Sequence, residues 1–230
     1  MNQTLKIAIV GDYNFTYYSH QATNLSLDHT ALFLDVDINY YWIRMSEIAT
    51  MKKEKLAQYD GFWIAPGEIS NHFYLNGLLN LLSNKTTPVL ITGEGFKTFV
   101  ESFFNNDSTK VKAISENLVK GEVFEKIQII PHSNDFIKLF EYHLGHELTS
   151  SRFSIYPQVL TELIEKHIDI EAFNQYEDPE IISLKNHPFY LACGYTPQVT
   201  STREMPHPLI YTFIKACMAV SQKGTEKLAM

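Results

Sequence analysis

The sequence has few of the residues that build cross-linked, membrane-spanning or secreted proteins. Cys193 and Cys217 are the only cysteines among 230 residues, too few for a disulfide framework or a thiolate metal site. No apolar run reaches the ~20 residues that a bilayer-spanning helix needs. The N-terminal stretch MNQTLKIAIV lacks the basic start and long apolar core of a secretory signal. We therefore expect a cytoplasmic protein.

Positive charge is also scarce. The chain has 19 lysines and arginines against 26 acidic residues, which gives a formal net charge of −7. Attraction to a phosphate backbone or an anionic membrane requires a clustered basic face. The composition therefore predicts that neither nucleic acid nor a membrane is a partner.

No internal repeat, low-complexity block or Pro/Gly/Ser-rich linker divides the chain. Hydrophobic residues make up 45% of the sequence and charged residues 20%, as is typical of a packed globular protein. A chain of this length accommodates one sizeable α/β domain. We predict a single domain over residues 1–222, followed by a fraying tail over 223–230.

Strand and helix patterns alternate along the chain. The first apolar run, 5–10, is β-branched and stops at Gly11-Asp12, which is typical of a strand buried on both faces. Further strands are predicted at 35–43, 60–65, 88–92, 122–130, 152–155, 168–173 and 189–195, and helices at 20–33, 73–82, 96–104, 158–166 and 208–220. This alternation predicts an α/β fold with a doubly wound, mainly parallel sheet and helices on both faces.

Four segments rich in glycine and polar residues follow predicted strands, at 11–14, 66–68, 92–95 and 196–198. In a doubly wound sheet, ligands bind outside the carboxyl ends of the strands. The third segment joins a strand to a helix through a sharp turn, which is the geometry of a nucleophile elbow. These segments therefore define the predicted site.

The motifs around these segments resemble a known family. IAIVGDYN, YDGFWIAPG, TPVLITGEGFKTFVE and HPFYLACGYTPQ are similar, in order and spacing, to the class I glutamine amidotransferase domain of CTP synthase. The GDYN segment with His20, and the ending around Pro206-His207-Pro208-Leu209, are similar to stand-alone CTP synthase C-terminal region-related proteins, which carry no synthetase domain. The resemblance covers nearly the whole chain and implies a flavodoxin-like topology.

In the active family, an elbow cysteine attacks glutamine, a histidine takes its proton, and a glutamate orients the histidine. The resemblance places these positions on Gly93, Thr196 and Gln198. Glycine has no nucleophile, threonine is no base near neutral pH, and a glutamine amide does not stabilise an imidazolium. We therefore predict a degenerate triad without glutaminase chemistry. Cys193 is expected to be buried and inert in the last strand.

Other polar positions around the strand ends are candidate ligand-binding residues. Arg152 falls near the family's substrate-carboxylate arginine, the alternative being an exposed loop arginine. Glu94 and Lys97 either form an acid/base pair or neutralise each other across a helical turn. The full set is Asp12, Tyr13, Asn14, His20, Gly67, Glu68, Glu94, Gly95, Lys97 and Arg152.

We predict no cofactor and no bound metal. His143, His146 and Glu147 come nearest to a metal-ligand spacing.

The functional hypothesis is a non-glutaminase protein that binds a small molecule bearing a carboxylate or an amide, or that regulates a partner. A synthetase or a second copy of the chain is a possible partner. One alternative is an enzyme of another reaction class that uses the same pocket on a γ-glutamyl or nucleotide-related substrate. Another is a subunit that serves CTP formation in trans.

Overall fold

The computed structural model describes residues 4–104, 112–118, 124–143 and 145–228. Its strands are β1 (Thr4–Val10), β2 (Asp37–Ile43), β3 (Gly61–Ile64), β4 (Val89–Thr92), β5 (Ile114–Leu118), β6 (Glu125–Pro131), β7 (His146–Thr149), β8 (Ser151–Ile155), β9 (Ile168–Asn174), β10 (Pro179–Leu184) and β11 (Tyr190–Cys193). Its helices are α1 (Tyr18–Leu34), α2 (Met45–Ile48), α3 (Lys53–Leu56), α4 (His72–Ser83), α5 (Gly95–Ser102), α6 (Asn134–Leu139), α7 (Pro157–Lys166) and α8 (Pro208–Leu228).

The described strands form one large mixed sheet and one small ribbon. The large sheet has the order β2-β1-β3-β4-β11-β10-β9-β6-β7. Its first five strands are parallel, and the remaining pairings are antiparallel. β5 and β8 pair separately and antiparallel. The predicted doubly wound α/β fold is therefore confirmed, with the parallel half of the sheet carrying the four strand ends of the predicted site.

Helices cover both faces of the parallel half. Leu5 and Ile7 of β1 pack on one face with residues of α1 and α8, whereas Ala8 and Val10 pack on the other with residues of α4 and α5. This alternation follows from the period of two along a strand, and both faces of β1 are apolar because both are covered. Two hydrophobic clusters therefore enclose the sheet and fix the positions of its strand ends.

Several boundaries differ from the predicted ones. Helix α8 continues to Leu228, past its end predicted at residue 220. Strands β5, β7 and β10 and helices α2, α3 and α6 were not predicted, because their runs are short or contain polar residues that become buried. Residues 122 and 123 of one predicted strand lie outside the described residues. Among the described helices, none has the length and hydropathy needed to cross a bilayer.

Strand β10 carries a buried carboxyl group next to the parallel half of the sheet. Glu180 is 1% exposed, and among the described residues one side chain donates to its carboxyl group, that of Asn174, whose Nδ2 lies 3.4 Å from Oε1. Burial raises the pKa of Glu180 from 4.5 to about 8. The carboxyl group is therefore protonated in the folded protein at neutral pH.

Replacing Glu180 with glutamine should flatten part of the pH dependence of stability. The pKa is raised on folding, so the native protein loses stability as pH rises from the unfolded value of 4.5 towards about 8. Urea unfolding at about pH 5 and about pH 8 should show a wild-type loss on the order of 3–5 kcal/mol that Glu180→Gln lacks. Glu162→Gln, on the exposed face of α7, is the control and should keep the wild-type slope. Parallel profiles for wild type and Glu180→Gln would contradict the assignment.

Candidate functional site

The carboxyl ends of β1, β3, β4 and β11 lie at one edge of the sheet because these strands are parallel. The turn at Pro66–Glu68 separates two hollows there. The loop hollow, of about 270 Å³, is lined by Val10, Gly11, Asp12, Asn14, Tyr17, His20, Met45, Ile64, Ala65, Pro66, Gly67, Glu68, Ile69 and Ser70. The elbow hollow, of about 330 Å³, is lined by Tyr17, Tyr18, Ser19, Pro66, Gly67, Glu68, Glu94, Phe124 and Ser150.

The turn after β4 has the backbone conformation of a nucleophile elbow. Gly93 has a φ of 60°, in the left-handed region that glycine adopts without strain. Its N–H lies 3.1 Å from the carbonyl oxygens of both Cys193 and Tyr195, which joins the turn to the end of β11. A Cβ at Gly93 would lie 2.8 Å from Pro66 Cβ and 3.9 Å from Thr196 Cγ2. The elbow therefore fits closely against the turns that follow β3 and β11.

Thr196 and Gln198 are buried in contacts with the fold. The Thr196 hydroxyl donates to the carbonyl of Leu148 at 2.7 Å. Gln198 lies in the 3₁₀ helix Pro197–Val199, and its Nε2 donates to the carbonyl of Ser19 at 3.5 Å. Thr196 thus lies beside the elbow, while Gln198 packs against the first turn of α1.

His20 connects two of the loops at the site. Its Nδ1 accepts a hydrogen bond from the Asn14 backbone N–H at 2.9 Å, so the ring proton lies on Nε2, which donates to the Pro66 carbonyl at 2.7 Å. Burial lowers the pKa of His20 and favours this neutral form. Because both ring nitrogens are already used, His20 holds the loops together and has no free nitrogen for proton transfer.

The Glu94 carboxylate accepts a hydrogen bond from the Gly67 N–H at 2.6 Å and from the Ser150 hydroxyl at 3.3 Å. Lys97 instead pairs with Glu116 at 2.8 Å, and this hydrogen bond raises the pKa of Lys97. The predicted mutual neutralisation of Glu94 and Lys97 is therefore wrong. The lysine faces strand β5, and the glutamate faces the elbow hollow.

The segment after β1 contributes two side chains to the loop hollow. Asp12 accepts a hydrogen bond from the Ser70 hydroxyl at 2.7 Å. The Asn14 side-chain oxygen accepts from the N–H and hydroxyl of Thr16, which is the geometry of an Asx turn. Tyr13 lies outside both linings and packs against the Trp42 ring, with 4.9 Å between centroids. Local turn chemistry accounts for the hydrogen bonds of Asn14.

Two other candidates lie outside both hollows. Arg152 is on strand β8, where its Nε lies 3.3 Å from Glu125 and its guanidinium lies 5.2 Å from the centre of the Tyr176 ring. Arg152 is therefore a strand residue and not the exposed loop arginine of the alternative, and it is outside the described lining of both hollows. Gly95 is a packing residue, since a Cβ there would lie 2.8 Å from Ile91 Cγ2.

A buried cluster of charged and polar side chains lies between β7 and the segment that follows β11. Glu147 accepts hydrogen bonds from His207 Nε2 at 2.9 Å and from the Thr200 hydroxyl at 2.7 Å, and His143 Nε2 is 3.3 Å from it. The sequence placed His146 in this group, but His146 is exposed and His207, 60 residues from Glu147, takes its place. Only the fold brings His207 close, so sequence spacing gave no signal for it.

This His-Glu-His cluster has the residue types of a metal site, and its ligand atoms lie within 4.8 Å of one another. However, the backbone N–H of Leu209 donates to His207 Nδ1 at 3.1 Å, and that of Gly145 to His143 Nδ1 at 3.4 Å. Each imidazole proton therefore lies on Nε2, where a metal would need the lone pair. The arrangement fits a hydrogen-bonded buried carboxylate better than a metal centre.

Comparison with solved structures identifies the class to which this architecture corresponds. The glutaminase domain of Trypanosoma brucei CTPS, with bound acivicin, superimposes with a TM-score of 0.75 at 15% identity over 94% of each chain. A glutamine amidotransferase from Thermotoga maritima gives a TM-score of 0.54 at 10% identity, over 98% of this chain and 86% of the other. The chain has a class I glutamine amidotransferase-like fold.

Sequence comparison points to a more particular relationship. The CTP synthase of Prochlorococcus marinus strain NATL1A is 24% identical over 240 residues, which cover 93% of this chain. The chain spans only 43% of the length of that relative. No family model matches the sequence. The chain is thus related to CTP synthases, and the predicted resemblance to their glutamine amidotransferase domain is confirmed.

A side chain at Gly93 should destabilise the protein. Gly93→Ala forces an L-residue into the left-handed region, at a cost of ~1–2 kcal/mol, and adds a contact with Pro66. Gly77→Ala is the matched control, because a Cβ at this position in α4 meets nothing within 4 Å. Chemical unfolding should show Gly93→Ala less stable than wild type and Gly77→Ala more stable by ~0.5–1 kcal/mol. Equal stability of Gly93→Ala and wild type would refute the strained turn.

Divalent zinc should leave the stability of the protein unchanged. The protons on Nε2 of His143 and His207 occupy the positions that a metal would take. Thermal unfolding with added Zn²⁺ and with EDTA should give the same midpoint. A zinc-dependent rise that His207→Gln abolishes would mean that the cluster binds metal.

Proposed function

We propose that this chain is a CTP synthase-related, glutamine amidotransferase-like domain that binds a small molecule or regulates a partner without hydrolysing glutamine. The observation that carries the proposal is the elbow itself. Gly93 has the left-handed conformation expected of the nucleophile position, yet it has no side chain, and the neighbouring Thr196 supplies no base. The polypeptide backbone of the elbow is retained, while Gly93 and Thr196 lack the thiol and the imidazole of the family's reacting residues.

The two cysteines support this proposal because neither lies at the hollows. Cys193 is fully buried on β11, where its Sγ lies 3.6 Å from the carbonyl oxygens of Ile91 and Tyr195. Burial raises the pKa of the Cys193 thiol well above its usual value, and the same holds for Cys217 on α8. A protonated, enclosed thiol is a poor substitute for an exposed elbow thiolate.

The hydrogen bond between Gly67 and Glu94 further supports the absence of acyl transfer. Backbone N–H groups beside an elbow stabilise the oxyanion that forms when an amide is attacked. Here the Gly67 N–H is taken by the Glu94 carboxylate at 2.6 Å. A developing oxyanion would therefore meet a negative charge in place of a free donor.

Catalysis of another reaction class is less well supported. His20 has no free ring nitrogen, and Arg152 lies away from both hollows. Asp12 and Glu94 remain as carboxylates. Among the described residues, no histidine, lysine or arginine side chain is hydrogen-bonded to either of them. Three further points stay predictions within this proposal. They are a role in CTP formation in trans, a partner that is a synthetase or a second copy of this chain, and a cytoplasmic location.

Purified protein should release no ammonia from L-glutamine at any pH from mildly acidic to mildly alkaline. Gly93→Cys alone should stay inactive, because Thr196 and Gln198 provide neither a base nor its orienting group. Coupled detection of ammonia and glutamate measures both. Ammonia release by the wild type would refute the proposal, and loss of that release in a Cys193→Ala variant would then identify Cys193 as the nucleophile.

A further inference from the structure

The described lining of the elbow hollow carries negative charge. Glu68 and Glu94 both line it, and its described lining contains no lysine or arginine. The two cations that the resemblance brought to this region are paired elsewhere, Lys97 with Glu116 and Arg152 with Glu125. A carboxylate ligand would therefore be repelled, whereas a cation would be attracted.

Aromatic rings form the other walls of the same hollow. Tyr17, Tyr18 and Phe124 all line it. The rings of Tyr18 and Phe124 are 6.5 Å apart and inclined at 73°, so they present two surfaces at a steep angle. The face of an aromatic ring attracts a cation placed within ~6 Å of its centre. Carboxylates and ring faces around one cavity are the combination that recognises organic ammonium groups.

The Glu94 carboxylate is held in place for such a contact. Its Oε2 accepts from the Gly67 N–H, and its Oε1 accepts from the Ser150 hydroxyl. A carboxylate offers about four lone-pair positions, so two donors leave acceptor capacity free. An ammonium N–H group is a suitable third donor, because a charge-assisted bond is stronger than a neutral one.

We propose that the elbow hollow binds the primary ammonium group of a small organic amine, with Glu94 as its hydrogen-bond acceptor and Tyr18 and Phe124 as its aromatic walls. This inference rests on the proposed function, since it names the ligand class of the same site. It replaces the ligand expected from the sequence, which bore a carboxylate or an amide. The cavity, of about 330 Å³, lies in the size range of small-ligand pockets.

Titration calorimetry with n-butylammonium chloride tests this proposal, with sodium butyrate, n-butanol and L-glutamine as comparison ligands. The butylammonium ion should bind, and the other three should bind at least about tenfold more weakly, because they lack a net positive charge. Failure of butylammonium to bind, or equal binding of butyrate, would overturn the assignment.

Three variants locate the binding. Glu94→Gln keeps the size of the side chain and removes its charge, so affinity for butylammonium should fall about tenfold or more. Tyr18→Ala, at a side chain that is 56% exposed, should fold normally and lose about three- to tenfold in affinity. Glu162→Gln makes the same charge change on α7 and should keep wild-type affinity. Unchanged affinity in Tyr18→Ala and Glu94→Gln would place the amine elsewhere and overturn the proposal.

The outcome is separable from that of the glutaminase assay. Absence of amine binding together with absence of ammonia release would remove the ligand class and leave the non-glutaminase proposal intact. Ammonia release would overturn the non-glutaminase proposal, whereas the calorimetric comparison of Glu94→Gln with Glu162→Gln would still decide whether the hollow binds an ammonium ion.

Discussion

The close contact between the Gly93 elbow and the Pro66 turn is the constraint on which the rest of the site depends. The elbow is held from one side by two carbonyl oxygens at the end of β11 and bounded on the other by Pro66. A turn confined in this way leaves no room for a side chain without a shift of its neighbours. Because the turns lie so close, the carboxylate of Glu94 reaches the Gly67 N–H directly. The glycine at the elbow and the occupied donor are thus two results of one packing arrangement.

The sequence predicted the parts of the fold whose signals are local. The run ending at Val10 and the run 88–92 are apolar on both faces, and the structure places both in the parallel sheet. Strands β7 and β10 were missed because each contains a buried glutamate, which resembles a surface position in sequence. Glu147 is buried, and its hydrogen-bond donors Thr200 and His207 lie 53 and 60 residues away in sequence. No local sequence pattern predicts partners at such distances. Tertiary contacts overrode the local pattern at these positions.

At the candidate site, too, local features were predicted from the sequence and long-range contacts were not. Glycine and proline turns indicated where the strands end, and three of the four predicted segments contribute to the two hollows. Local sequence patterns did not indicate which charged side chains pair with one another. Helical spacing suggested that Glu94 and Lys97 would pair, but Glu116 on β5 lies closer to the lysine. Arg152 likewise lies 3.3 Å from Glu125 and stacks over Tyr176. Long-range pairing therefore decides which charges remain on the described lining of the pocket, and sequence spacing does not.

Those charges connect the two proposals. In an acyl-transfer site, the groups beside the elbow must stabilise negative charge, because an oxyanion forms there. Here Glu94 brings a carboxylate beside the elbow, and the described cations Lys97 and Arg152 pair with Glu116 and Glu125. Both proposals therefore depend on Glu94, which opposes oxyanion formation in the first and accepts a hydrogen bond from the ammonium group in the second. Under both proposals the site prefers positive charge to negative charge, and a cysteine introduced at residue 93 would still have the Glu94 carboxylate beside it.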